Sequence, residues 1–311
     1  MRTISLFKLL NSVSESLINR GLFPTILLSF DLFPIFSNIL KQFVSGQTFM
    51  KLRFYALTGY FPDIKNPTSF NEKIQHRKFH EYDTRYPIIS DKHAVRKFVS
   101  EKIGSHILTD LYHVTDDPET IPFDSLPDRY IVKPTHMSGE ILFVDSSDDV
   151  DVDEIKVRCE DWLDTTYGQN KGEYWYAEIP PKILIEEDLR DNNQKVPKDY
   201  KFYVFDGTVR YVHVDSDRFK IHRRRFYDTD WNPQSFRLLY PLANIIKQPE
   251  NLEDMINIAE TLAVNFDFLR VDLYELEDGQ VRFGELTVAP GSGTEHFTPR
   301  DIDFALGKYW N

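Results

Sequence analysis

The sequence predicts an α+β protein in which antiparallel hairpins alternate with amphipathic helices. Three observations carry that expectation. Strand-like runs flank Asp278-Gly279, and a second pair flanks Asp206-Gly207, the strongest short-range signal for a tight turn. Residues 251–263 place apolar side chains at 252, 255, 256, 259, 262 and 263, the stripe of a helix with one buried face.

Composition sets the class. With 311 residues, 41% apolar and 28% charged, the chain suits a soluble globular protein with a sizeable core. The formal net charge of −12 argues against nucleic acid as the main partner. Cys159 is the single cysteine, which excludes an intrachain disulfide and a cysteine-based zinc cluster and makes a reducing cytoplasm the expected compartment. No Walker A, HExxH or GxSxG motif occurs, which leaves P-loop NTPase, zincin and α/β-hydrolase readings without support.

Residues 1–50 are apolar, but Pro24, Asp31 and Pro34 interrupt the run from 22 to 40. A spanning helix needs about 20 largely uncharged residues. A pair of short helices packed on the body is the first reading, and a peripheral foot on the inner face of a membrane is the alternative. Ser69 and Glu72 have capping-box spacing and start a helix after a proline-bearing turn. Residues 90–104 read as a helix capped by Ser90 or Asp91 and closed by Gly104, with Lys92 in its first turn. Residues 151–164 also read as helical, and 171–181 as an irregular aromatic loop.

Residues 129–134 form an apolar strand with a hairpin partner at 141–144. Lys133 sits inside this strand and needs an anion, because burying an unpaired ammonium is costly. The linking loop offers Ser138 and Gly139, whose backbone N–H groups can turn toward phosphate oxygens. A strand at 182–189 ends in the acids Glu186, Glu187 and Asp188. After the 200–214 hairpin, His222 gathers with Arg218, Arg223, Arg224 and Arg225. Planar guanidinium forks suit carboxylate or phosphate, and a solvated loop is the plainer reading.

A two-residue turn at Asp278-Gly279 places Asp272 opposite Glu285 and Arg270 opposite Thr287, all on one face. Facing carboxylates repel, so the pairing implies a cation between them. Oxygen ligands alone favour Mg²⁺ or a similar hard ion shared with phosphates. An exposed hairpin with scattered charges is the alternative. Beyond it, Gly291, Ser292 and Gly293 make a tight loop suited to close substrate approach.

Taken in order, these segments resemble the TupA-like ATP-grasp family of teichuronopeptide biosynthesis. The carrying residues are 66–73 (Asn-Pro-Thr-Ser-Phe-Asn-Glu-Lys), Asp91-Lys92, Val132-Lys133, 199–202, 215–219, 226–228, 270–274, and 284–287 with 290–293. The resemblance spans about residue 51 to the C-terminus, and D-alanine–D-alanine ligase shares the skeleton at greater distance. It implies an ATP-grasp fold, two α+β subdomains gripping ATP between antiparallel sheets, with an N-terminal helical extension. The implied division is an apolar extension at 1–50, a helical region at 51–112, a small subdomain at 113–190 and a metal-binding subdomain at 191–311.

The same resemblance implies the roles. Lys92 and Lys133, with Ser138 and Gly139, would hold ATP phosphates. Glu186, Glu187 and Leu189 would contact adenine, and Asp199 the ribose. Asp272, Glu285 and Thr287, the last standing where the superfamily carries asparagine, would bind Mg²⁺. Arg270 would stabilise the transferring phosphoryl group. Lys201, Arg218, Arg223, Arg225 and the loop of Gly291, Ser292 and Gly293 would position substrate. The implied activity is carboxylate–amine ligation through an acyl phosphate, joining an amino acid to a sugar acid of a cell-surface polysaccharide. A sugar kinase on the same fold and a non-catalytic glycan-assembly protein are the alternatives.

Overall fold

The computed structural model describes residues 45–145, 151–191, 196–216 and 222–311. The N-terminal extension therefore lies outside the described residues up to 44, as does Arg218. Two units are distinguished: of the described residues, 45–77 with Gly291–Lys308 form the first, and Lys78–Pro290 with Tyr309–Asn311 the second. This division runs differently from the sequence-based one, since the 291–293 loop belongs to the first unit. Among the described residues no helix is long and apolar enough to cross a membrane.

In the first unit, Ser45 caps α1 (Gly46–Thr58) by accepting from the Thr48 N–H, and Gly59 ends it with a left-handed φ of 82°. The capping box then forms as its spacing requires. Ser69 Oγ accepts from the Glu72 N–H at 3.1 Å, and Glu72 Oε2 accepts from the N–H groups of Thr68 and Ser69 at 2.9 Å. This starts α2 (Phe70–His80), inside which the unit boundary falls. Asn71 donates from its main chain and side chain to buried Asp303 on the helix Asp301–Gly307. Gln75 Nε2 donates to the carbonyls of Ser292 and Gly293 at 2.9 and 2.8 Å, fixing a loop whose residues 291–293 all have positive φ.

The second unit opens with α3 (Arg85–Ser90) and α4 (Ala94–Lys102). The helix expected over 90–104 thus starts later, at Ala94, and a separate helix ends at Ser90 ahead of it. Asp91 is extended (φ −79°, ψ 115°) and accepts from the His93 N–H, which draws its side chain into a turn instead of a cap. Lys92 consequently lies in the connection ahead of α4.

Strands β1 (Leu111–Thr115), β2 (Tyr130–Pro134), β3 (Leu142–Val144) and β4 (Ile183–Glu186) make an antiparallel sheet in the order β1-β4-β2-β3. Alternation sends Tyr130, Val132, Ile183 and Ile185 into a core with Ile155, Cys159 and Trp162 of α5 (Val152–Leu163). Lys133 and Glu186 therefore point to the other face. Burial pushes the Cys159 thiol up to about 11, so it stays an inert core group.

The second sheet contains β5 (Lys198–Phe205), β6 (Thr208–Ser216) and β7 (Arg223–Tyr227). After the two-residue β8 (Arg237–Leu238) and α6 (Leu252–Leu262) come β9 (Phe268–Glu275) and β10 (Val281–Thr287). The order is β10-β9-β5-β6-β7. Asp206 and Gly207 both have positive φ, the tight turn expected between β5 and β6. Leu252, Met255, Ala259 and Leu262 of α6 are buried, each side chain of Leu or Met size adding roughly 1.5–3 kcal/mol.

The β9–β10 hairpin corrects the two-residue turn. Leu276 donates to the Gln280 carbonyl at 2.9 Å, so three residues form the loop, with Gly279 at φ 80°. The register near the turn is consequently one residue off, and a bulge at Gly284 restores it, pairing Asp272 with Glu285 and Arg270 with Thr287. A Cβ at Gly284 would lie 3.0 Å from the Asp272 carbonyl oxygen, so glycine lets the bulge close.

Candidate active site

Register brings Glu285, Asp272, Lys201 and His213 into one row across β10, β9, β5 and β6. Side chains directly opposite share a face, so the row sets two adjacent carboxylates beside a lysine and ends on a histidine. Arg270 Nε and Nη2 donate to the two oxygens of Asp272 at 2.7 and 2.8 Å, and Nη2 also reaches Glu285 Oε1 at 2.6 Å. Lys201 Nζ bonds Asp272 Oδ2 and, at 2.7 Å, Asp199 Oδ2. The carboxylate pair does meet a cation, as the repulsion argument required, and in the protein itself that cation is Arg270.

Exposure separates the two acids. The Asp272 side chain is 2% exposed with both oxygens engaged, whereas Glu285 is 41% exposed and shares one oxygen with Arg270 and, at 3.0 Å, with the Thr287 hydroxyl. Partial desolvation by the surrounding walls raises the Glu285 carboxyl although its side chain still reaches solvent, and the charges of Arg270, Lys201 and Lys92 more than offset that and hold it below its ordinary value. Burial likewise disfavours the Arg270 cation, and Asp272 and Glu285 reverse that, keeping it fully protonated.

Facing this row is the first sheet. Lys133 Nζ bonds Glu186 Oε1, meeting the anion its burial demanded, while the other Glu186 oxygen accepts from Thr109 Oγ1 at 2.9 Å and lies 3.5 Å from Arg96. The Lys92 N–H donates to the Thr135 carbonyl and its Nζ to the Met137 carbonyl, which ties Lys92 to the start of the 135–140 loop. Buried His136 sets Nε2 against the carbonyls of Trp162 and Thr165, anchoring the same loop to the end of α5. Glu140 turns toward Arg158 at 3.7 Å. Burial first, then the Lys133 charge, pushes Lys92 down to about 8.

Lys92, Lys133, Ser138, Glu186, Glu285 and Thr287 line one cavity of about 50 Å³. Sequence reasoning missed Arg96, Thr109 and Tyr176, which line it too. Arg96 follows Lys92 in the same basic run, so proximity in sequence could have found it; Tyr176 had only its aromatic setting to mark it. Glu187 and Leu189 border instead a separate groove of about 730 Å³, beside Glu275 and the Asp278-Gly279 turn. The Glu187 N–H donates to the Asp110 carbonyl at 2.9 Å, which fixes this strand exit beside the start of β1.

The arginine run takes a different place. Arg223 donates to the Leu242 carbonyl, Arg225 to the carbonyls of Ala243 and Gln234, and Arg224 to Asp215 at 2.7 Å. The bonds of Arg223 and Arg225 hold β7 to the segment that follows it, and that of Arg224 ties it to β6. Gly291, Ser292 and Gly293 belong to the first unit, and Gly139 has a φ of 82° with open space beside it.

Asp272, Glu285 and Thr287 are all oxygen donors, the chemistry a hard divalent ion requires. Among the described residues no group of three His, Cys, Asp or Glu side chains is gathered for a metal. An ion at Glu285 would thus complete its shell with phosphate oxygens and water, as Mg²⁺ ordinarily does.

Two antiparallel sheets bordering a cavity lined by Lys92, Lys133 and Glu186 and by Glu285 and Thr287, with Arg270 and Asp272 behind Glu285, fit the ATP-grasp class. The chain belongs to the TupA-like ATP-grasp family, whose model matches residues 72–311. No protein of curated function matches it. Among solved structures it is similar to D-alanine–D-alanine ligase from Bacillus anthracis complexed with ATP, at 16% identity and TM-score 0.42, covering 72% of this chain and 65% of that one. A second is L-amino acid ligase from Bacillus licheniformis, at 11% identity and TM-score 0.41, covering 72% and 49%. A third is the ATP-grasp ligase PsnB complexed with minimal precursor, at 15% identity and TM-score 0.36, covering 66% and 53%. The chain spans between about half and two thirds of the length of these ligases.

Proposed function

We propose that the protein is an ATP- and Mg²⁺-dependent carboxylate–amine ligase. The observation that carries this reading is the cavity in which Lys92 and Lys133 face Glu285 and Thr287, with Arg270 bridging Glu285 and Asp272. The two ammonium groups would bind phosphate oxygens, and main-chain groups of Glu187 and Leu189 would read an adenine edge. Asp272, Glu285 and Thr287 would hold Mg²⁺, which supplies charge neutralisation on the phosphates. Arg270, held in place by two carboxylates, keeps a fixed positive charge where negative charge gathers during transfer.

The terminal phosphoryl group passes to a substrate carboxylate oxygen as ADP leaves. An amine then attacks the acyl carbon, inorganic phosphate departs, and an amide remains. A cavity of about 50 Å³ admits water but not a nucleotide. Nucleotide entry must therefore displace the Lys133–Glu186 pair or part the sheets. On the family resemblance, the substrates are an amino acid and a sugar acid of a cell-surface polysaccharide. Lys201 and the Gly291, Ser292 and Gly293 loop are the candidates for positioning them, along with Arg218, Arg223 and Arg225.

The test is a screen of uronic acids and amino acids for ADP release, followed by mass analysis of products. An amide with free phosphate supports ligation. Phosphate retained on the acceptor would identify a kinase instead, and no nucleotide binding would leave the glycan-assembly alternative.

A further inference from the structure

The aromatic loop expected at 171–181, with Tyr167 and Gly168 ahead of it, plays no part in the chemistry proposed so far. Its architecture is rigid. Trp175 is 1% exposed and packs edge-on to Tyr86 at 5.7 Å. Gly168, at φ 83°, accepts from the N–H groups of Lys171 and Glu173, and a Cβ there would lie 2.9 Å from Tyr176 Cβ. Tyr167 meets the Tyr176 ring edge-on at 4.8 Å. Buried anchor, glycine and edge contact together fix the Tyr176 ring in one orientation.

That ring lines the cavity with Lys92, Lys133, Ser138, Glu285 and Thr287. Among the described residues its hydroxyl makes no hydrogen bond. Glu285 and Thr287 of the same lining are residues proposed for Mg²⁺, and Arg270 bonds Glu285 at 2.6 Å, so the phenol shares its cavity with the groups proposed to act at the transferring phosphate. Burial, Glu173 and Glu285 raise the phenol well above its ordinary value, so the group keeps its proton and acts as a donor. A protonated, fixed and unshared hydroxyl in a cavity lined by two lysines suits an anionic oxygen.

We propose that the Tyr176 hydroxyl donates a hydrogen bond to an oxygen of the terminal phosphate of the bound nucleotide. This rests on the nucleotide reading above and adds to it a residue that discriminates triphosphate from diphosphate. The test compares binding of Mg²⁺ with ADP and of Mg²⁺ with a non-hydrolysable ATP analogue, by calorimetry, in the wild type and Tyr176→Phe. The phenylalanine keeps the ring packing. The analogue is expected to bind at least about tenfold more weakly to the variant, a bond to a charged group being lost, while ADP binding stays within about twofold.

Equal weakening of both nucleotides would overturn the proposal and make Tyr176 a packing residue. No weakening of either would also overturn it, the phenol then facing a carboxylate or nothing. A wild type that binds neither nucleotide defeats the underlying reading instead. Tyr167→Phe serves as control, since that hydroxyl receives Lys171 Nζ at 3.1 Å and does not line the cavity; it should leave the ratio of the two affinities unchanged.

Discussion

Replacing Asp272 with asparagine should cost far more stability than replacing Glu285 with glutamine, although the two carboxylates face each other across one ladder. Asp272 is 2% exposed and accepts from Arg270 at 2.7 and 2.8 Å as well as from Lys201. Asp272→Asn leaves Lys201 with Asp199 and Arg270 with Glu285, but takes away the buried carboxylate the two cations share and sets a neutral acceptor between them. Removing one partner from a buried charge network costs about 3–5 kcal/mol. Glu285 is 41% exposed, and Arg270 keeps Asp272 when it is neutralised, so Glu285→Gln should cost less than about 1 kcal/mol. Urea unfolding followed by tryptophan fluorescence reads both, provided the slope is unchanged between variants. Equal losses, or a neutral Asp272→Asn, would refute the claim that Asp272 is the counter-ion on which this sheet face depends.

Three other expectations follow from the same geometry. Lys92 titrates at about 8 in the free protein and a bound phosphate favours its ammonium form. Nucleotide affinity should therefore fall as pH rises past about 8, approaching about tenfold per unit, with Lys92→Gln flattening the profile in titrations from pH 7 to 9.5. Gly284→Ala forces a Cβ to within 3.0 Å of the Asp272 carbonyl oxygen and should destabilise by about 1–3 kcal/mol in thermal unfolding, with weaker nucleotide binding as the bulge opens. Burial lifts the Asp303 carboxyl to about 6, so the folded form holds a proton that the unfolded chain releases between its ordinary value and that one. Its contribution makes stability fall as pH rises from about 4 to 6, and Asp303→Asn should remove that part of the slope in urea midpoints at pH 4.5 and 6.5.

The sequence by itself determined the hairpins, the capping box, the face of α6 and the family. Each depends on short-range chemistry: Asp-Gly turns, Ser–Glu spacing, and periods of two or 3.6 residues. It also required an anion for Lys133, because the cost of an unpaired charge holds in any context, whereas Asp272 meets Glu285 only because a bulge offsets the longer turn. Only the tertiary structure decided which partner met each demand. Arg270 bridges the carboxylates, Glu186 takes Lys133, and Arg225 is drawn to main-chain carbonyls, since these contacts depend on which strands become neighbours. The bulge at Gly284 is the clearest case. The turn is one residue longer than its dipeptide suggests, and the bulge compensates because the buried face of β10 must still meet that of β9. Tyr176 belongs to the same category: an irregular loop has no period, so where its phenol ends up is set by Trp175, Gly168 and the cavity wall.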